Sequence, residues 1–260
     1  MTRKMTSLRS LATGSALLFL FAPTLYAAEQ AAPEAPPVDA RAWILMDYSS
    51  GKVLAEGNAD EQLDPASLTK IMTSYVVGQA LKAGKIKLED MVTIGKDAWA
   101  TGNPALRGSS VMFLKPGDQV SVSDLNKGVI IQSGNDACIA MAEHVAGSED
   151  SFASLMNQWA DRLGMKETHF VNAHGLHNPE HYSSAHDMAI LARAIINEDQ
   201  EHYAIYSQKE FFWNNIKQGN RNLLLWRDST VDGLKTGHTE EAGYCLVASA
   251  VRDGARMIAS

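Results

Sequence analysis

Ser67 and Lys70 stand three residues apart in DPASLTK, and this pair is the first place where the residue types suggest chemistry. Side chains at i and i+3 share a helix face, so a hydroxyl and an amine at that spacing can meet. A serine hydroxyl is a weak nucleophile until a base takes its proton. Lysine can be that base only if burial or a nearby cation brings its pKa down from about 10.4 towards neutrality. The spacing alone says little. Ser49 also precedes Lys52 by three, but in Ser49-Ser50-Gly51-Lys52, a run of turn residues with no helix to fix the two groups. Ser67 has a different context. Asp64 can accept from the orphan amides of a first turn and Pro65 suits the first helical position. A helix is therefore predicted from Asp64-Pro65-Ala66-Ser67 through Ile71, Met72, Tyr75, Val76 and Leu81, ending at Gly84. In its first turn the Ser67 N–H has no helical partner and can point at an oxyanion.

Two later stretches could complete such a site. In Ser133-Gly134-Asn135 the hydroxyl of Ser133 can relay a proton between Lys70 and a leaving amine. The Asn135 amide can hold both the lysine and a substrate carbonyl. In Lys235-Thr236-Gly237, Lys235 supplies positive charge that depresses the Lys70 pKa and attracts a carboxylate. Gly237 leaves room for an extended peptide along a strand edge, and the N–H of His238 is placed as a second oxyanion donor. Each stretch alone reads as a turn or a strand end. The three in order, each in its expected local structure, carry the argument.

The elements that must position them follow from periodicity. Ala42–Asp47 and Val53-Leu54 flank a turn and read as a hairpin. Apolar residues recur at helical spacing over Leu125–Ile131 and Ala137–Val145, with Ser133-Gly134-Asn135 between them. Phe152, Leu155, Met156, Trp159 and Leu163 form a stripe closed by Gly164, and Met188, Leu191, Ala192 and Ile195 predict another helix. Phe211–Trp213, Leu223–Trp226, Leu234–Thr236 and Tyr244–Val251 read as strands, and Arg256–Ser260 as the start of one more. Strands at both ends with helices between them indicate an α+β (α/β) fold, a sheet flanked by helices.

A net charge of -7 gives a nucleic-acid partner no support. Arg3, Lys4 and Arg9 precede the uncharged run Leu11–Ala22, and Ala27-Ala28 follows, so residues 1–27 read as a secretory signal peptide. Residues 28–37 are Pro- and Ala-rich and read as a flexible leader, and 38–260 as the folded domain. The chain stops inside a strand pattern and is expected to be truncated relative to a longer protein. Export permits disulfides, but Cys138 and Cys245 are read as two free buried thiols.

The segments ARAWILMDYSSGKVLAEGNAD, DPASLTKIMTSYVVGQAL, GNPALRGSSVMFLKPGD, IQSGNDACIA and VDGLKTGHT resemble the low-molecular-mass penicillin-binding proteins of the D-alanyl-D-alanine carboxypeptidase family, type 5/6. The resemblance covers nearly all of the chain beyond the signal peptide. It implies a β-lactamase/transpeptidase-like fold with a mainly antiparallel sheet and an all-helical subdomain. It also implies a periplasmic enzyme that removes the terminal D-alanine of peptidoglycan stem peptides ending in D-Ala-D-Ala. Ser67 would form the acyl-enzyme, Lys70 accept the proton, and Ser133, Asn135 and Lys235 assist. Gly134, His174, Leu176, Lys235, Thr236, Gly237 and His238 would line the substrate site. β-Lactams would acylate the same serine, with no cofactor and no metal. In the family a second β-rich domain and an amphipathic C-terminal helix give contact with the inner membrane, and neither is read in these 260 residues. A non-catalytic penicillin sensor or inactive fragment is the alternative. A class A β-lactamase would need a deacylating glutamate, and the surroundings of Glu167 do not resemble that loop. Metal binding by His174, His177, His181 and His186 lacks the spacing of two ligands on one helix turn.

Overall fold

Alternation in Trp43–Asp47 buries Ile44 and Met46 on one face, and this segment is the first strand, β1. Asp47 then organises the turn, accepting from the N–H groups of Ser49 (3.1 Å) and Ser50 (3.2 Å). The chain returns antiparallel as β2 (Val53–Gly57). Ser49 and Lys52 both lie exposed in that turn, and the Ser49 hydroxyl is bound to Asp47. The computed structural model describes Met1 and residues 35–260, so the signal peptide and the leader up to residue 34 lie outside the described residues.

The predicted first helix begins later and differently. Asp64 does accept from the N–H of Ala66, at 2.9 Å. Ala66, however, takes the left-handed φ of +46°, so no α-helix can run on from Pro65. A 3-10 turn, Ala66–Leu68, carries Ser67, and helix α1 follows over Thr69–Lys82. Helix α1 is buried on nearly all sides, with Ile71, Met72 and Val77 in the core. Its buried polar residues are satisfied by neighbours: Thr69 Oγ1 meets His181 Nε2 at 2.8 Å, and Thr73 Oγ1 donates to the carbonyl of Ala173 at 2.6 Å.

A small ladder, β3 (Met91–Thr93) with β4 (Gln119–Ser121), precedes α2 (Val122–Lys127). The helical run predicted over Leu125–Ile131 continues from α2 as a π-helical turn, Gly128–Gln132, rather than as one α-helix. Ser133 ends it at a φ of +64°, and α3 (Asn135–Ala146) starts two residues on. Helix α4 (Glu149–Leu163) is capped by Ser148, whose hydroxyl accepts from the N–H of Ser151, and is closed by Gly164 at φ +79°. Phe152 and Met156 of its stripe are buried. Helices α1 to α4 pack on one another as an all-helical part. Then come α5 (Ala185–Glu198), α6 (Gln200–Tyr203), the hairpin β5 (Glu210–Trp213) and β6 (Ile216–Gly219), and α7 (Leu224–Arg227). The predicted strand Leu223–Trp226 is thus a helical turn. Its apolar run is too short for period to decide, and Asn222 starts a turn by accepting from the N–H of Leu224 at 3.1 Å.

Strands β7 (Val231–Thr239), β8 (Gly243–Arg252) and β9 (Ala255–Ala259) complete a five-stranded sheet in the order β2-β1-β9-β8-β7. Every pairing in it is antiparallel. Strands β1 and β9, far apart in sequence, pair antiparallel, and α5 packs against β1, β8 and β9. This leaves β7 as an edge strand, and it packs against the turn that holds Ser67. Both cysteines are free, but Cys245 is only half-buried, because strand β8 is partly exposed along its length.

Candidate active site

Four stretches meet around the amine of Lys70, which is 1% exposed at the start of α1. Its Nζ lies 3.0 Å from Ser67 Oγ and 2.7 Å from Asn135 Oδ1, and it donates to the carbonyl of His174. Ser67 itself is half-buried, so its hydroxyl can be reached from outside. Burial pulls the Lys70 pKa down, against the opposing pull of Cys138 and Asp136. The lowering expected from the charge of Lys235 is therefore secondary to desolvation. In its neutral form the amine has two N–H donors and one lone pair. The Asn135 and His174 oxygens can only accept, so in that form they take the two donors and the lone pair faces the Ser67 hydroxyl.

Lys235 is equally buried on β7 and held well below the ordinary lysine range, first by burial and then by Lys70. Its Nζ donates to Ser133 Oγ at 3.0 Å and to the carbonyl of Thr236 at 3.0 Å. Ser133 reaches that position through its left-handed backbone, a strain on the order of 1–3 kcal/mol that persists because the surroundings over-determine it. The N–H of Asn135 donates to the carbonyl of Ser110 at 2.8 Å and the N–H of Gly134 to that of Gly128 at 3.0 Å.

The glycines let backbone segments close on one another. A Cβ on Gly237 would stand 3.1 Å from the Ala66 Cβ and 3.1 Å from the Ser67 nitrogen. Its missing side chain lets β7 close on the turn that bears Ser67. A Cβ on Gly134 would meet Asp136 Oδ1 at 2.9 Å. Asp136 is the residue sequence reasoning missed there. Fully buried, it accepts from the N–H groups of Met112 (2.7 Å) and Leu114 (3.1 Å), fastening the segment beside Ser133. Gly175 was also missed as a determinant. At φ +85° its Cβ would fall 1.9 Å from the carbonyl oxygen of Ala66. Only the presence of an acid directly after Ser-Gly-Asn, and of a glycine inside a His-rich loop, could have signalled these two.

His174 lies buried in that loop, and burial lowers its pKa to about 3, so the ring is neutral. Its Nδ1 accepts from the N–H of Leu176 at 3.1 Å, which puts the proton on Nε2. Leu176 packs against the core from the loop. Thr236 is half-buried and His238 exposed, its ring 4.3 Å from that of Tyr244. The other histidines are engaged separately: His177 with Asp64, His186 with Asp60 and His181 with Thr69. Glu167 accepts from Gln62 Nε2 at 2.9 Å. Among the described residues no group of three or more His, Cys, Asp or Glu side chains could hold a metal ion.

His181 and His202 are also buried, each lowered to about 4. Because all three folded-state values lie below the unfolded value of about 6.5, the stability they contribute is complete above pH 6.5 and is lost as pH falls towards 4. Asp136, Glu149 and Asp187, raised by burial, act in the opposite sense. Ring NMR isolates the histidines. His174, His181 and His202 should remain neutral at pH 5.5, whereas His177, raised by its bond to Asp64, should still be protonated at pH 6.5. Ordinary titration of the buried three near pH 6.5 would contradict this burial.

A hydroxyl in contact with a buried amine, a second hydroxyl–amine pair beside it and an edge strand against the turn that bears Ser67 form an arrangement suited to acyl transfer. The chain matches the family model described as D-alanyl-D-alanine carboxypeptidase over residues 29–260. It is 70% identical over 259 residues to D-alanyl-D-alanine carboxypeptidase DacC of Escherichia coli (strain K12), covering 99% of this chain and 64% of that one. The crystal structure of penicillin binding protein 6B from Escherichia coli superposes with a TM-score of 0.85 at 52% identity, covering 88% of this chain and 73% of that one. Penicillin-Binding Protein D2 from Listeria monocytogenes in its cefotaxime-bound form superposes at 0.77 and 29% identity, covering 87% and 90%. The chain belongs to the D-alanyl-D-alanine carboxypeptidase family. It spans just under two thirds of the length of the DacC relative.

Proposed function

We propose that this protein is a serine D-alanyl-D-alanine carboxypeptidase. The observation that carries the reading is the contact of the half-buried Ser67 hydroxyl with the buried Lys70 amine, 3.0 Å apart. Lys70 takes the Ser67 proton as Oγ attacks the carbonyl carbon between two D-alanines. The oxyanion is held by the N–H groups of Ser67 and His238. Support for this comes from Gly237, which brings β7 against the Ser67 amide. Ser133, held by Lys235, passes the proton to the leaving amine, so that free D-alanine departs and the acyl group stays on Oγ. Water then cleaves the ester and restores the hydroxyl. Lys235 and Thr236 receive the substrate's terminal carboxylate, and the free amide nitrogen of Asn135 a substrate carbonyl. Gly134, His174 and Leu176 border the cleft. A β-lactam acylates the same oxygen, as cefotaxime occupies the Listeria protein.

The basic head and apolar run of residues 1–27 support export, and the substrate places the enzyme in the periplasm. No helix among the described residues is long and apolar enough to cross a membrane. The test combines two measurements on the same preparation. Incubation with a peptide ending in D-Ala-D-Ala should release D-alanine, and benzylpenicillin should block the release with its mass added to the peptide containing Ser67. A stable adduct without D-alanine release would favour the penicillin sensor. An adduct on another residue would remove Ser67 from the mechanism.

A further inference from the structure

The carbonyl of His174, with Asn135 Oδ1, orients the Lys70 amine beside Ser67, yet it comes from a loop with no regular structure of its own. What fixes this loop is a set of contacts from three directions. Asn172 Oδ1 accepts from the N–H groups of His174 (3.2 Å) and Gly175 (2.7 Å) inside the loop. Thr73 of α1 binds the carbonyl of Ala173. From the opposite side Glu149, the first residue of α4, accepts from the N–H of Ala173 at 3.0 Å. The same carboxylate oxygen stands 3.4 Å from His174 Nε2, the nitrogen that bears the ring proton. With His174 neutral this is not an ion pair, and its geometry is that of a positioning contact.

We infer that Glu149 is a positioning residue for the acylation step: by holding Ala173 and the His174 ring it keeps the His174 carbonyl on Lys70 and keeps water away from the amine. This inference rests on the proposed function of the same site. Glu149 touches neither Ser67 nor Lys70, and nothing in the Ser-x-x-Lys, Ser-Gly-Asn or Lys-Thr-Gly stretches points to it.

The consequence for pH dependence has a definite sign. Lys70 faces Asp136 and Cys138 of α3, Lys235 of β7, and His174 and His181 of the loop region. Glu149 faces His174 of the loop, Asp150 on its own helix, Glu143 and Cys138 of α3, and Asp97 of the loop after β3. Burial is the largest cause of the lowered Lys70 value. Loosening the loop wall admits water, favours the ammonium and moves the acid limb of acylation to higher pH.

The experiment measures the second-order rate of acylation by a fluorescent penicillin from pH 5 to 10. Glu149→Ala should acylate at least 10-fold more slowly at pH 7, with its acid limb displaced upward. Glu149→Gln has the same length and an oxygen for the Ala173 N–H, and should stay within about 3-fold of wild type with the limb in place. Glu149→Asp, one methylene short, should behave like the alanine variant and decides the matter if that variant does not fold. A rate within 2-fold of wild type for both short variants would overturn the inference. So would a uniform loss at all pH values without displacement of the limb, or a glutamine variant as slow as alanine. Absence of acylation in the wild type would instead count against the proposed function, so the two failures are distinguishable.

Discussion

Lys70→Met should lower the rate of Ser67 acylation by about 10²–10⁴-fold, the usual worth of a general base, while the protein remains folded. The thioether side chain has nearly the volume of lysine and suits a site that is 1% exposed. Among the described residues it removes the one group hydrogen-bonded to Ser67 Oγ that can take a proton. Two oxygens, Asn135 Oδ1 and the His174 carbonyl, lose their donor, which costs stability, but a buried amine also disappears, which restores some. Lys70→Arg separates charge from basicity. A guanidinium carries a positive charge and stays protonated far above pH 7, so it has no lone pair to take a proton and should also fail. Stopped-flow acylation with a fluorescent β-lactam reads both variants. A rate within 3-fold of wild type for either one would mean that another group activates Ser67.

Gly175→Ala should destabilise the domain by at least about 3 kcal/mol, combining left-handed strain of about 1–3 kcal/mol with overpacking of similar size. The new Cβ would lie 1.9 Å from the carbonyl oxygen of Ala66, 2.5 Å from its carbon and 2.8 Å from Thr69 Oγ1. None of these atoms is the free end of a flexible side chain. Either the 172–176 loop or the turn bearing Ser67 must move, and the first holds the lysine while the second holds the nucleophile. Thermal unfolding should therefore begin roughly 6 °C lower or more, at about 2 °C per kcal/mol for a chain of this size. Acylation should fall with it. Gly84→Ala is the control. Its φ is +65°, but a Cβ there meets nothing within 4 Å, so it carries strain alone, about 1 kcal/mol, and should leave acylation unchanged. Equal losses in the two variants would show that backbone strain, and not the contact with Ala66, makes Gly175 necessary.

Several parts of the architecture were legible from local pattern. The β1–β2 hairpin followed from strand-like runs flanking turn residues, and α4 from a five-residue apolar stripe closed by Gly164. Short apolar runs were less readable. Leu223–Trp226 became a helical turn because Asn220 and Asn222 bond around it, a matter of side-chain contacts that period cannot reveal. The strand edge expected at Gly237 is there, but the strand order that creates it, with β9 inserted between β1 and β8, has no local signal.

The candidate site divides along the same line. Residue type and the spacing of Ser67 and Lys70 suggested a nucleophile and a base, because a hydroxyl and an amine three apart meet wherever the chain turns helically. Ser-Gly-Asn and Lys-Thr-Gly suggested the groups proposed to assist them. The tertiary structure alone decided that Lys70 also reaches the carbonyl of His174, 104 positions away, and that burial rather than Lys235 lowers its pKa. It also decided that Ala66 and Ser133 adopt left-handed backbones, and that Gly237 and Gly175 stand bare so that two segments can close on Ala66. Such features have no local signature. An alanine or serine at positive φ is disfavoured by its own residue type, and it is kept there only by contacts that exist once distant parts of the chain have packed together.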